Sequence, residues 1–200
     1  MTNAAVSQSG QTPGPSVEHV RVPLLAQLLA PATLITRCVW VDAGRAQSGL
    51  IDRLTGTPGR LIVADLPRAL EDHAAGWHLP DNGLAEAVWS EPVDRFLYWD
   101  LLNYMQKDQL AELSVSIASR ASVNCTIHAL IQYSRTTMTE APACFNLADD
   151  LQLQVTESGQ RETSTPRYSP KALEKAMPEL RVERTMLLNN GMQEFLFSLR

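Results

Sequence analysis

Apolar residues lie along this chain in short blocks, and the period inside each block predicts its element. Leu24, Leu25, Leu28 and Leu29 fall at helical spacing between Pro23 and Pro31, which predicts a short helix opened and closed by proline. Cys38 to Val41 is a continuous apolar run ending at Asp42, the pattern of a strand buried on both faces of a parallel sheet. The small residues Ala43 to Gly49 follow. Leu50, Ile51 and Leu54 then predict a helix that Gly56 stops. Leu61 to Ala64 predicts a second buried strand ending at Asp65, and residues 67 to 81 a helix that loosens. Phe96 to Trp99 predicts a third strand, ending at Asp100. Leu110, Leu113 and Ile117 mark another helix, and Val123 to Ile131 another strand. Strand and helix alternate, as in a parallel sheet with helical crossovers.

The second half changes character. Residues 134 to 168 are rich in Thr, Ser and Glu, and a hairpin is expected to pair Leu151–Val155 with Arg161–Thr165 around Glu157-Ser158-Gly159-Gln160. Ser169-Pro170 supplies a hydroxyl cap and a proline for a helix that carries Leu173 and Met177 and ends at Pro178. Val182–Leu188 and Gln193–Leu199 flank Asn189-Asn190-Gly191, a hairpin signal that asks for positive φ at the turn. No internal repeat or domain boundary is evident. The expected organisation is a disordered tail over residues 1–17 and one domain over 18–200.

Composition removes several classes of function. Seventeen basic residues against twenty-two acidic ones give a net charge of −5, and the basic residues form no cluster, so no nucleic-acid partner is expected. Cys38, Cys125 and Cys144 form no CxxC pair, which argues against a zinc site or a disulfide framework. The start of the chain has no basic residues and no apolar core, and no run approaches the roughly 20 apolar residues that span a bilayer. A cytoplasmic protein with no membrane partner is expected.

Three acids, Asp42, Asp65 and Asp100, follow three strands. In an open parallel sheet those carboxyl ends form the binding crevice. Asp42 precedes a small-residue loop and a helix start, where a ligand can approach the backbone. Asp65 lies 23 residues further on, where a carboxylate can accept both hydroxyls of a ribose. Gly44-x-Ala46-x-x-Gly49 reads as a relaxed dinucleotide fingerprint, which keeps an NAD(P)-binding Rossmann protein as one alternative. The other ligand is S-adenosylmethionine (SAM), whose amino group suits a carboxylate at Asp42; a pyrophosphate there would be repelled.

The chain resembles the class I SAM-dependent methyltransferases over roughly residues 37 to 200. The resemblance rests on Val39-Trp40-Val41-Asp42-Ala43-Gly44, on Leu61 to Asp65, on Phe96 to Tyr104, and on the closing pattern from Arg167-Tyr168-Ser169-Pro170 to Glu194-Phe195-Leu196-Phe197. It implies a three-layer α/β Rossmann-like methyltransferase sandwich, mostly parallel, ending in an antiparallel hairpin. It also implies SAM held by Asp42, Gly44, Ala46, Asp65 and Asp100, and a small-molecule or protein acceptor. The family's first loop commonly runs Asp-x-Gly-x-Gly-x-Gly; here Asp42, Gly44, Ala46 and Ser48 stand at those places, and Arg45 adds a cation. Leu84 to Trp89 is the only remnant of the family's usual helix, strand and helix after Asp65.

Tyr104, Tyr133 and Tyr168 are candidates for an acceptor wall, with core packing as the competing reading. His128, inside an apolar strand, reads as a core histidine. His73 and His78 do not share a helix face, and no metal site is expected. No nucleophile with its base can be assembled, and no catalytic residue is assigned. Beside the methyltransferase, a catalytically inactive binding or interaction module of the same fold remains as the alternative.

Overall fold

A computed structural model describes residues 17–68, 91–157 and 161–200. The elements run β1 (Val17–Arg21), α1 (Pro23–Leu28), β2 (Cys38–Asp42), α2 (Ser48–Leu54), β3 (Gly59–Val63), β4 (Val93–Leu97), α3 (Lys107–Arg120) and β5 (Ala121–Gln132). They continue with β6 (Thr137–Thr139), β7 (Cys144–Leu147), β8 (Gln152–Thr156), β9 (Glu162–Ser164), α4 (Pro170–Ala176), β10 (Leu180–Leu187) and β11 (Met192–Leu199). A main sheet of six strands has the order β10-β11-β5-β4-β2-β3. The pairs β3–β2, β2–β4 and β4–β5 are parallel, and β11 runs antiparallel to both β5 and β10. This is the mostly parallel α/β sheet with an antiparallel ending that the alternating blocks predict.

Alternation along each strand divides the core into two layers. Val39, Val41, Phe96, Tyr98, Ile127 and Phe195 pack on the face that holds α3 and α4. Trp40, Leu97, Trp99 and Leu130 pack on the other face, with Leu25 of α1, Leu50 of α2 and Leu153 of β8. All five residues of β2 are buried, because both faces of that strand are covered. The helix ends follow the sequence signals. Ser169 Oγ accepts from the Ala172 N–H at 3.2 Å, with Pro170 opening α4. Gln106 and Gln109 form a reciprocal capping box at α3.

Several elements differ from expectation. β8 does not pair with the Glu162–Ser164 segment. It lies between β1 and β7, while β9 pairs with β6. Leu153 and Val155 alternate on β8 and need an apolar partner face; Phe145 and Leu147 of β7 and Val20 of β1 provide it, whereas Glu162-Thr163-Ser164 has none. β1 went unforeseen because Val20 is its only buried residue. β3 is an edge strand among the described residues and is half-exposed rather than buried on both faces. The Leu84–Trp89 segment and most of the helix expected after Pro67 lie outside the described residues; Leu66–Arg68 is helical. The final hairpin forms, but its loop spans Asn189, Asn190 and Gly191, and only Gly191 has positive φ, at 84°. The Leu188 N–H donates to the Met192 carbonyl at 2.8 Å, closing a three-residue loop with glycine at the left-handed position.

Candidate functional site

The carboxyl ends of β2, β3 and β4 are laced together by main-chain bonds. The Ala43 N–H donates to the Leu97 carbonyl at 2.9 Å, Ala64 to Asp42 at 2.8 Å, and Leu66 to Ala43 at 3.0 Å. This brings Asp42, Asp65 and Asp100 to one edge of the sheet. Two residues there, Asp65 and Trp99, sit in the left-handed region at φ 43° and 47°. A bulky residue in that region costs about 1–3 kcal/mol and persists only where its surroundings hold it.

Trp99 is held by the site itself. Its indole N–H donates to Asp42 Oδ1 at 2.6 Å, and its ring stacks on Phe145 with centroids 5.5 Å apart and planes 8° apart. The Gly44 N–H donates to the same Asp42 oxygen at 2.9 Å. Gly44 must be glycine for the indole to lie there, since a Cβ would stand 2.5 Å from Trp99 Cδ1. Asp42 is consequently 2% exposed. Burial raises its carboxyl to about 6; the Trp99 and Gly44 bonds oppose this, and the charge of Asp65 adds to it. Asp65 Oδ1 is buried and accepts no hydrogen bond among the described residues.

The start of α2 is covered as well. The Gly49 N–H donates to Asn146 Oδ1 of β7 at 3.1 Å, and a Cβ on Gly49 would stand 1.8 Å from the Leu147 carbonyl oxygen. The space left beside Gly44, Arg45, Trp99 and Asp100 is a crevice with about 10 Å³ of enclosed room. Ala46 is exposed on the loop.

Asp100 is 5% exposed. Its Oδ2 accepts from the Ala143 N–H at 3.0 Å, while Oδ1 is buried and unpartnered among the described residues. Burial raises this carboxyl to about 7, opposed by the backbone N–H bonds it accepts. Asp100 also lines a second cleft, with about 20 Å³ of enclosed room, together with Tyr104, Gln132, Arg135, Met138 and Glu157. Tyr104 donates its hydroxyl to the Ala141 carbonyl at 2.9 Å; burial, then the negative charge of Asp100, raises its pKa and keeps it protonated. Tyr133 is exposed and does not line the cleft. Tyr168 lies in the α3 and α4 core layer and donates to the Met105 carbonyl at 2.7 Å.

His128 is a core histidine, fully buried, with Nε2 2.9 Å from Glu194 Oε1. Glu194 also accepts from the Leu24 and Leu25 N–H groups at 3.0 and 2.7 Å, tying α1 to β11. The sequence reading missed Trp99 as a cover over Asp42, Asn103 as the brace that donates to the Asp100 and Leu130 carbonyls, and Glu194 as a buried hub. A tryptophan beside an acid at a strand end, and a glutamate in an aromatic strand, were the available signals. Among the described residues, no group of His, Cys, Asp and Glu is arranged to hold a metal ion. No helix among them is long and apolar enough to cross a membrane.

No family model matches the sequence, and no curated protein sequence matches it. Solved structures do match. An S-adenosylmethionine-dependent methyltransferase from Clostridium acetobutylicum ATCC 824 is similar at TM-score 0.55 and 13% identity, over 88% of this chain and 89% of that chain. The 1,6-didemethyltoxoflavin-N1-methyltransferase of Burkholderia thailandensis is similar at TM-score 0.48 and 13% identity, over 88% of this chain and 76% of that chain. The glycopeptide N-methyltransferase MtfA is similar at TM-score 0.46 and 10% identity, over 89% and 92%. The clostridial likeness shows the fold: this chain has the Rossmann-like methyltransferase sandwich.

Proposed function

We propose that this protein is a SAM-dependent methyltransferase whose cofactor crevice is covered by Trp99, acting on a small molecule or a protein side chain. The observation that carries the reading is the buried, unpartnered Oδ1 of Asp65 beside the carboxylate of Asp42, at adjacent strand ends of this fold. The donor set fits the group: Asp65 suits a ribose diol, Asp42 suits the amino group of a methionine moiety, and Gly44 permits close backbone approach. The space fits only once the indole has turned away, since about 10 Å³ of enclosed room falls far below the roughly 300 Å³ at which ligand pockets begin. When bound, the cofactor supplies a methyl group already activated on a sulfonium, so the protein's work is binding, orientation and exclusion of water. A dinucleotide would bring its pyrophosphate against Asp42, which disfavours the nicotinamide alternative. Three free cysteines and the absence of a disulfide among the described residues support a cytoplasmic setting.

Calorimetric titration with SAM and S-adenosylhomocysteine, with NADH as control, tests the proposal. Saturable binding of the first two, lost in Asp65→Ala, is the expected result. One observation favours a second reading, a binding module without methyl transfer: Trp99 and Asn146 take up the Asp42 oxygen and the Gly49 N–H that a cofactor would use. Failure of all three ligands to bind would select it.

A further inference from the structure

The second cleft has a chemistry of its own. It holds three carboxyl groups, from Glu18, Asp100 and Glu157, and one cation, Arg135, which is spent on Glu157 at 2.6 Å. Its unpartnered buried polar atoms among the described residues are both acceptors, Asp100 Oδ1 and Gln132 Oε1. The Tyr104 hydroxyl, a donor on the wall, is already committed to Ala141. A buried acceptor left unsatisfied is destabilising, so a donor-bearing ligand is favoured over one that brings acceptors. The rest of the wall includes Met138, Phe145 and Met192, which suit an apolar body. The enclosed part of the cleft, about 20 Å³, has room for one ammonium head about the size of a water, with the apolar body of a ligand lying in the open mouth.

We propose that this cleft binds an organic ammonium ion, an apolar body carrying a primary or secondary amine, with the N–H groups directed at Asp100 Oδ1 and Gln132 Oε1. Asp100 lines both this cleft and the crevice beside Gly44, so the bound nitrogen lies next to the place proposed for the methyl donor. Taking the ligand as the methyl acceptor rests on the methyl-transfer reading and needs the ammonium first to pass a proton to the Asp100 carboxylate, which frees the nitrogen lone pair; as a binding site the cleft stands without it. An ammonium on Oδ1 would also restore the ionised form of Asp100 that burial disfavours.

The probes are 2-phenylethylammonium, its neutral analogue 2-phenylethanol and the anion 3-phenylpropionate, titrated by NMR into the full chain without SAM and then with it. The ammonium is expected to bind at least about tenfold more tightly than the alcohol, and the anion more weakly than either. Asp100→Asn turns one acceptor into a donor and is expected to weaken the ammonium about tenfold or more while sparing the alcohol. Glu18→Gln, on an exposed residue that leaves folding intact, is expected to weaken it about twofold. Equal binding of the three probes, no binding, or ammonium binding unchanged in folded Asp100→Asn overturns the inference; if that variant fails to fold, unchanged binding in Glu18→Gln does so. SAM binding without ammonium binding sinks this inference alone. Ammonium binding without SAM binding sinks the methyltransferase reading and leaves the cleft.

Discussion

The Trp99 indole nitrogen and Asp42 Oδ1 are 2.6 Å apart, so one oxygen of the carboxylate at the end of the first strand of the main sheet is already occupied by a hydrogen bond from within the chain. The proposed ligand and the indole compete for one oxygen. A hydrogen bond of this kind contributes about 1 kcal/mol net, which is roughly a fivefold handicap on binding. Trp99→Phe keeps an aromatic ring against Phe145 and removes the donor. It is expected to bind SAM about fivefold more tightly in calorimetry, and to unfold in urea with about 1–2 kcal/mol less stability.

Gly49→Ala tests how firmly β7 is pressed on α2. The new Cβ would meet the Leu147 backbone at 1.8 Å, where no side chain can swing aside. A loss of about 3 kcal/mol or more is expected in urea denaturation, because backbone must shift to make room. A change near zero would mean that the small sheet is only loosely held.

Glu194→Gln replaces one acceptor oxygen with a donor facing main-chain N–H groups at the start of α1. The expected cost is about 3 kcal/mol, and hydrogen exchange at Leu24 and Leu25 should rise before the rest of the sheet opens.

Asp42 and Asp100 give the protein a defined response to pH. Their folded values, about 6 and about 7, lie above the ordinary carboxyl value of 3.8. Between those limits the native state holds protons that the unfolded chain has released, so stability falls as pH rises from about 4 to about 7 and then levels off. Asp100→Asn removes its share, at most roughly 4 kcal/mol, and should flatten the curve measured by denaturation at pH 4 to 8.

The main sheet was legible because its strands announce themselves. β2 is apolar at every position before Asp42, and β11 is buried without a break from Glu194 to Phe197. Asn190-Gly191 marked the hairpin, though the three-residue loop needed the register to be known. The small sheet of β1, β8 and β7 was not legible, since β1 shows one buried valine and β8 alternates equally well with any apolar neighbour. At the site, the acids could be read from their positions after strands, and the structure does gather them. What covers them could not. Trp99 reads as a core aromatic, and only the left-handed turn at its own backbone carries the indole onto Asp42. The partners of Asp100 and Glu194 lie 43 and 170 residues away along the chain, beyond any local pattern.

The central claim is that SAM enters at Asp42 and Asp65 by displacing the indole of Trp99. The most direct test follows the Trp99 indole N–H resonance, assigned with Trp99→Phe, in 15N-labelled protein during a SAM titration. The account predicts that this resonance shifts progressively, saturates with the binding isotherm, and stays fixed in Asp65→Ala. A resonance that does not move at any SAM concentration would contradict it, and would leave Asp42 and Trp99 as a permanent seal on a site that takes no cofactor.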